Sequence, residues 1–190
     1  MKCEFYLSLF ISGLLTASVC NSQELLPNHN PKMDVNLSPL INAVINPIKN
    51  SRINPKFNWN INPSKTSNLN PMANLAINPL NNLGFNPYEN QTLNPMYQNL
   101  LHPKNPSWKG LYMYDKDDNL AGYITKATQD VMLCFDRNSE WCGFYVKAEQ
   151  NIFNHFDMKA QFTGNFICYD SMFGYNEFNK EGEWTGRHIK

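Results

Sequence analysis

Cysteine is the residue type with the clearest capacity for covalent chemistry in this sequence. Beyond a predicted signal-peptide cleavage site after Cys20, the chain keeps Cys134, Cys142 and Cys168. Cys134 and Cys142 flank a predicted hairpin turn, which favours a disulfide between them. Cys134 and Cys168 occupy equivalent positions of an internal repeat, which favours that pair instead. Either pairing leaves one thiol free or bonded to another chain, so all three residues are disulfide candidates.

Nucleophilic catalysis has one cysteine–histidine combination available, Cys142 with His155 or His188. No motif accompanies it, and neither Gly-x-Ser-x-Gly, His-Glu-x-x-His nor a phosphate-binding glycine loop occurs. Glu181 and Glu183 lie in a polar stretch that is typical of a solvated loop. We therefore predict that the protein is not an enzyme and has no catalytic residues and no cofactor.

Metal binding has two weak candidates. Asp115, Asp117 and Asn119 are spaced as at the start of a calcium-binding loop, but Leu120 stands where that loop needs glycine and Lys126 where it needs glutamate. The Cys-x7-Cys spacing is too wide for a typical zinc site. We expect a solvated hairpin turn at the acidic cluster and no metal site.

Two sequons make Asn36 and Asn90 the glycosylation candidates. Asn36-Leu37-Ser38 is followed directly by Pro39, and Asn90-Gln91-Thr92 lies within a repeated segment. Both are compatible with export from the cell.

An N-terminal targeting segment precedes the elements that position these residues. Lys2 supplies a positive charge, and the stretch from Phe5 to Leu15 is almost wholly apolar but too short to span a bilayer. Small residues at Ser18 and Cys20 then precede a polar stretch. This pattern predicts a signal peptide over 1–20 and a linker over 21–36, and hence a secreted, extracellular protein that meets an oxidising compartment.

A repeat of eight residues follows. Proline recurs at every eighth position from Pro31 to Pro103, and the unit apolar-Asn-Pro-x-x-Asn-x-x covers residues 37–106. The Asn-Pro pair excludes a continuous helix and suits either a type I turn or the N-cap and first residue of one short helical turn. A single fixed apolar residue per octad offers little core against roughly 1–2 kcal/mol of backbone entropy per residue. The pattern therefore favours an extended or disordered, turn-rich chain; a solenoid and a plain spacer are the alternatives.

Residues 107–190 lack proline and are rich in aromatic side chains. Short aromatic and β-branched runs, broken by Asp/Asn/Gly clusters, predict strands. The segment that begins at Met113 recurs 21 residues later at Cys134, and a looser third copy begins at Cys168. Each copy predicts a hairpin. The expected fold is a small all-β C-terminal domain built of repeated hairpins, preceded by the extended or disordered octapeptide-repeat region.

Charge and architecture together define the expected class of protein. The formal net charge is +0, with four basic and one acidic residue over 37–103 and nine basic against twelve acidic over 107–190. Neither segment has the basic excess of a nucleic-acid-binding protein. We predict a secreted non-enzymatic structural or interaction protein, such as an extracellular coat, matrix, or reproductive or glandular fluid component. The alternative is a secreted defence or ligand-type protein that acts through its C-terminal domain. Expected partners are extracellular proteins, glycans or further copies of the chain, without nucleic acid or a membrane span.

Overall fold

The structure is a computed structural model that describes residues 31–32, 34–101, 105, 107–108, 110–172 and 174–190. The predicted signal peptide and most of the predicted linker lie outside the described residues. Among the residues described, no helix is both long and apolar enough to cross a membrane.

The C-terminal region forms a closed barrel of eight antiparallel strands, so the all-β prediction is confirmed. Each strand pairs with its neighbours in the sequence, and the last strand pairs with the first through Met113 and Ile189. Closure leaves no strand edge open to another chain. The strands are β1 (Leu111–Tyr114), β2 (Leu120–Lys126), β3 (Val131–Asp136), β4 (Trp141–Glu149), β5 (Ile152–Phe156), β6 (Phe162–Tyr169), β7 (Tyr175–Phe178) and β8 (Trp184–Ile189).

Four hairpin turns at one end of the barrel share the same hydrogen bonds. In each, the side-chain oxygen of the first residue accepts from the backbone N–H groups two and four positions later, and the fourth residue has a positive φ. The first residues are Asp115, Asp136, Asp157 and Asn179. The left-handed residues are Asp118, Ser139, Ala160 and Gly182. The acidic cluster at Asp115 is therefore used as a turn, whose carboxylate accepts from two backbone groups.

The third copy predicted from Cys168 does not form a single hairpin, because residues 168–190 include the end of β6 and all of β7 and β8. Asp170 begins a turn in which its carboxylate accepts from the N–H groups of Met172 and Gly174, as in the four turns above, but this turn joins β6 to β7 at the other end of the barrel. The turns that share an end with those at Asp115 and Asp136 begin at Asp157 and Asn179, and each is followed seven residues later by glycine, at Gly164 and Gly186.

One face of every strand points into the barrel. Inward side chains from around the barrel form one buried cluster: Met113, Ile124, Met132, Cys134, Tyr145, Phe153, Ile167 and Ile189. The hydroxyl of Tyr145 on β4 lies 3.4 Å from the carboxylate of Glu177 on β7, which only side chains that cross the barrel interior can do. The interior is thus filled by side chains, as expected for a barrel of this strand number.

The outward faces of the strands are buried as well. On β3 the five residues from Val131 to Phe135 are all buried, so this strand is covered on both sides. The outward residues form two further clusters, which include Phe85 and Ile61 of the octapeptide repeat. The repeat therefore supplies the cover that the outer wall requires.

The octads of the repeat consist of two short turns each, most of which begin at asparagine; Thr66 and Gln98 replace it in two octads. Asn46 accepts the N–H of Ile48 at 2.8 Å, which places the following proline at the first position of its turn. Asn50 accepts the N–H of Arg52 at 3.3 Å and caps the 3-10 turn Ser51–Ile53. The 3-10 turns are Ala43–Ile45, Ser51–Ile53, Trp59–Ile61, Ser67–Leu69, Leu75–Ile77, Gln91–Leu93 and Asn99–Leu101.

The amide nitrogens of the same asparagines join each turn to an earlier one. Asn46 donates to the carbonyl of Pro39 at 2.7 Å, and the same bond recurs at Asn54, Asn62, Asn78 and Asn94. Asn50 donates to the carbonyl of Val44 at 2.8 Å, and that bond recurs at Asn42, Asn58, Asn74, Asn90 and Asn105. Each of these amides thus accepts within its own turn and donates outside it, which explains why asparagine recurs at both positions.

Residues 34–101, which we call the octad belt, lie against the outer wall of the barrel. The Leu37 carbonyl accepts from Asn176 of β7 at 3.0 Å, and the Ile61 carbonyl accepts from Asn154 of β5 at 2.8 Å. Between them, the Ile53 carbonyl lies 3.8 Å from the thiol sulfur of Cys168 on β6. The carbonyls of Leu37, Ile53 and Ile61, which share one octad position, therefore contact β7, β6 and β5 in that order.

The extended or disordered conformation expected for the repeat is not the one these residues adopt. The expectation assumed that the repeat must build its own core. In the structure its prolines from Pro39 to Pro95 are all buried, as are Leu37, Ile45 and Ile61, and the barrel supplies the other half of that core.

Candidate functional site

The disulfide candidates Cys134 and Cys142 lie side by side on β3 and β4. Their sulfur atoms are 3.6 Å apart, and the Cys142 sulfur is 3.4 Å from the Cys134 carbonyl oxygen. Cys134 is opposite Gly143, and the register then shifts, which leaves Cys142 as the extra residue of a bulge. Both cysteines are free thiols, because a disulfide requires sulfurs about 2.05 Å apart. The pair is nevertheless close enough to join with little movement.

The two thiols differ in exposure and in acidity. Cys134 is buried and Cys142 is exposed. The hydrogen bond with Cys134 lowers the pKa of Cys142, and the positive charge of Arg187 acts in the same direction. The bond to Cys142 and burial raise the pKa of Cys134 well above its usual value. Since the thiolate is the attacking form, Cys142 is suited to react first and Cys134 to complete the disulfide.

Cys168 lies apart from this pair. It packs in the outward cluster with Ile61, whereas Cys134 belongs to the interior cluster. Burial raises the pKa of the Cys168 thiol far above its ordinary value. The barrel therefore does not bring Cys134 and Cys168 together, and Cys168 is a poor nucleophile.

The histidines considered as partners for Cys142 are occupied elsewhere. His155 stacks on Tyr145 with ring centres 4.6 Å apart, and burial lowers its pKa to about 4. Its Nδ1 is buried and has no hydrogen-bond partner among the described residues. His188 stacks on Tyr114 at 5.2 Å. In the described part of the chain the Cys142 sulfur bonds to Cys134 and not to either histidine.

A charged cluster lies inside the barrel near the hairpin turns. Glu177 is 1% exposed, and its carboxylate accepts from the Thr185 hydroxyl at 3.1 Å and from the Arg187 guanidinium at 3.4 Å. A cavity of about 270 Å³ opens beside these groups, lined also by Asp115, Lys116 and Asn165. Sequence reasoning did not identify this cluster, because no motif joins Glu177 to Arg187. Side chains alternate between the inward and outward faces along β7 and β8, and this alternation places Glu177 and Arg187 on the inward face.

The exposed large hydrophobic side chains lie almost entirely on the octad belt. In the residues that the structure describes, they all fall between Val35 and Leu100, with Met172 as the exception. They occupy the variable positions of the unit, which point away from the barrel. The belt therefore has one buried edge and one apolar outward face.

Basic and aromatic residues are concentrated in one part of that outward face. Phe57 and Trp59 are 60% and 67% exposed. The Lys56 amine is 5.8 Å from the Phe57 ring centre, and the Lys65 amine is 6.0 Å from the Trp59 ring centre. We call the group Lys49, Arg52, Lys56, Phe57, Trp59 and Lys65 the basic-aromatic patch. The sequence indicated the positive charge of the repeat but not its concentration beside two exposed rings.

The two glycosylation candidates occupy different settings. Asn36 is exposed, and its backbone carbonyl accepts the Asn42 amide at 2.8 Å. Asn90 belongs to the asparagine ladder, donating to the Gly84 carbonyl while accepting from the Thr92 hydroxyl, both at 2.6 Å. Glycosylation at either residue stays a prediction.

Comparisons with protein-family models, with curated proteins and with solved structures each found no match.

Proposed function

We propose that this chain is a secreted, non-enzymatic structural or interaction protein of an extracellular coat, matrix or fluid, in which the barrel carries the octad belt as its contact surface. The observation that carries the proposal is that, among the residues the structure describes, every exposed large apolar side chain except Met172 lies on the belt. Contiguous exposed apolar surface is typical of protein interaction sites.

The arrangement of the barrel supports this division of roles. The outward face of the sheet is covered by the belt and the inward face is filled, so the wall itself offers little free surface. The belt repeats one structural unit at regular steps and presents its variable residues outward. Repeated weak contacts of this kind add through multivalency, which suits assembly into a coat or matrix.

Secretion and association are tested on the full-length chain. The chain is expressed in cells with a secretory pathway, and the extracellular protein is sequenced from its N-terminus and examined by sedimentation over a range of concentrations. We expect loss of about the first 20 residues and concentration-dependent association. Retention of Met1 on the exported chain, or retention of the protein inside the cell, would refute secretion.

A pair of variants locates the association. Leu40→Ser, Met72→Ser and Met96→Ser together change exposed residues at the position after proline in three octads. Met172→Ser changes an exposed residue of the barrel and is the matched control. We expect the belt variant to weaken association and the control to leave it unchanged. Association that ignores the belt variant would contradict the proposal.

The alternative role as a ligand-type protein has one supporting observation, the cavity beside Glu177 and Arg187. That role predicts a diffusible activity that Arg187→Gln abolishes and the belt variant preserves.

A further inference from the structure

The positive charge of the belt is concentrated in three consecutive octads. The basic residues of 37–103 are Lys49, Arg52, Lys56 and Lys65, and the one acidic residue, Glu89, lies three octads beyond Lys65. All four basic residues are exposed. Lys49, Phe57 and Lys65 share the same octad position, so a basic, an aromatic and a basic side chain follow one another along one row.

The two aromatic side chains of the patch are exposed although burial would stabilise them. Each ring has a lysine amine about 6 Å from its centre, within the range of a cation–π contact. An exposed aromatic face flanked by cations suits a ligand with both an apolar face and negative charge. A pyranose ring with sulfate or carboxylate substituents has both properties.

A cavity extends from the patch toward the barrel. It has a volume of about 360 Å³ and lies where the belt meets the β5–β6 and β7–β8 hairpins. Pro55 and Phe162 supply apolar walls, and Lys56 and Lys180 supply cationic groups. Glu181 adds one carboxylate, 3.8 Å from the Lys180 amine, and both of these side chains are largely exposed. Gly164 has no side chain to fill the space: a Cβ there would lie 3.2 Å from the Cβ of Lys180. The size suits a monosaccharide unit. Two lysines against one glutamate leave the cavity with a net positive charge, which suits an anionic substituent.

We propose that the basic-aromatic patch and this cavity form a binding site for an anionic polysaccharide, with sugar rings against Phe57, Trp59 and Phe162 and sulfate or carboxylate groups against Lys56, Lys65 and Lys180. The proposal rests on the extracellular role proposed above, where such polymers occur. Charge complementarity selects the ligand. The charged residues of the patch are all basic, and the cavity adds Lys180 against Glu181. Residues 107–190 as a whole carry nine basic and twelve acidic residues and repel a polyanion elsewhere.

The test measures binding of the full secreted chain to three polymers. Dextran sulfate carries both sugar rings and negative charge, neutral dextran carries the rings alone, and polyglutamate carries charge without rings. We expect binding to dextran sulfate that weakens with added salt, and much weaker binding to both other polymers.

Matched variants assign the contacts. Lys56→Gln should weaken binding to dextran sulfate about 2- to 5-fold, whereas Lys126→Gln, which removes an exposed lysine at the other end of the barrel, should not. Phe57→Ala should weaken it about 3- to 10-fold. Tyr97→Ala is the aromatic control, because Tyr97 shares the octad position of Phe57 and is 63% exposed but lies outside the patch. Melting curves verify that each variant is folded.

Equal binding of polyglutamate and dextran sulfate would overturn the inference, as would equal effects of the patch variants and their controls. Absence of binding to dextran sulfate would do the same. Each of these leaves secretion and self-association intact and is therefore separate from failure of the proposed function, which the sedimentation and N-terminal sequencing measurements detect on the same preparation.

Discussion

Replacement of Asn78 tests whether the asparagine ladder holds the belt together. Asn78 is 0% exposed. Its amide donates to the Pro71 carbonyl at 3.0 Å, and its side-chain oxygen accepts the Leu80 N–H at 3.0 Å. The variant Asn78→Ala removes both bonds at once and provides no group to replace either.

The magnitude follows from the two groups that lose their partners. Loss of an N-cap side chain costs about 1 kcal/mol. Leaving the carbonyl of buried Pro71 without a donor costs about 1–3 kcal/mol. The free energy of unfolding should therefore fall by about 2–4 kcal/mol, which lowers Tm by roughly 5–15 °C for a domain of this size. Asn78→Ser keeps an oxygen that can cap the turn but cannot reach Pro71, so its effect should be intermediate.

Thermal and urea unfolding of the full chain measure the effect. Asn81→Ala is the control, because Asn81 is exposed and lies three residues away in the same octad. We expect the control to change Tm by less than about 2 °C. If Asn78→Ala changed Tm no more than Asn81→Ala does, the ladder would not contribute to stability and the flexible-chain interpretation would be restored.

Three further outcomes are expected. Mild oxidation of the folded chain should join Cys134 to Cys142 and leave Cys168 as a thiol. Peptide mapping under non-reducing conditions decides this, and an intrachain disulfide that includes Cys168 would contradict it. The secreted chain should begin near Asn21, as N-terminal sequencing will show. Because burial lowers the pKa of His155 from 6.5 to about 4, the unfolded chain binds its proton first as the pH falls. His155 should therefore contribute a loss of about 2 kcal/mol of stability as the pH falls to 5, most of it below pH 6.5. Burial lowers the pKa of His188 to about 4 as well, so unfolding curves for His155→Gln should lack the His155 part of the pH dependence and keep the His188 part.

The sequence predicts the all-β class of the C-terminal region. It does not show that four equivalent turns lie at one end of the barrel, because the third copy was aligned at Cys168. Alignment on Cys168-Tyr169-Asp170 followed the identity of three adjacent residues. The more reliable signal was the interval of seven residues from the turn residue to glycine, which Asp157 and Asn179 share with the first two hairpins. That interval distinguishes the four turns at one end of the barrel from the turn at Asp170, which accepts from the same two backbone N–H positions but lies at the other end.

The conformation of the belt was missed because its stability depends on a surface that lies far away in the sequence. One apolar residue per octad buries too little surface to offset the backbone entropy of an isolated repeat. The prediction of a flexible chain holds only for a repeat without a partner surface. The run Val131–Phe135 contained the missing information, since a strand without polar alternation is buried on both faces and requires a cover. Asn154 and Asn176, which donate to belt carbonyls, are likewise outward polar residues that only the assembled structure explains.

The correspondence between octads and strands has a consequence for how such a gene can change length. Sequence repeats of this kind gain and lose whole units by replication slippage, and an added octad would preserve every turn within the belt. Between Ile53 and Ile61, however, one extra unit would carry each later carbonyl past the strand that receives it, and Asn154 would face the wrong residue. Units added beyond Leu101 would displace no belt contact with the wall. The fixed positions of the strands therefore determine how many octads can lie against the barrel. Length variation among natural alleles should be confined to the ends of the array.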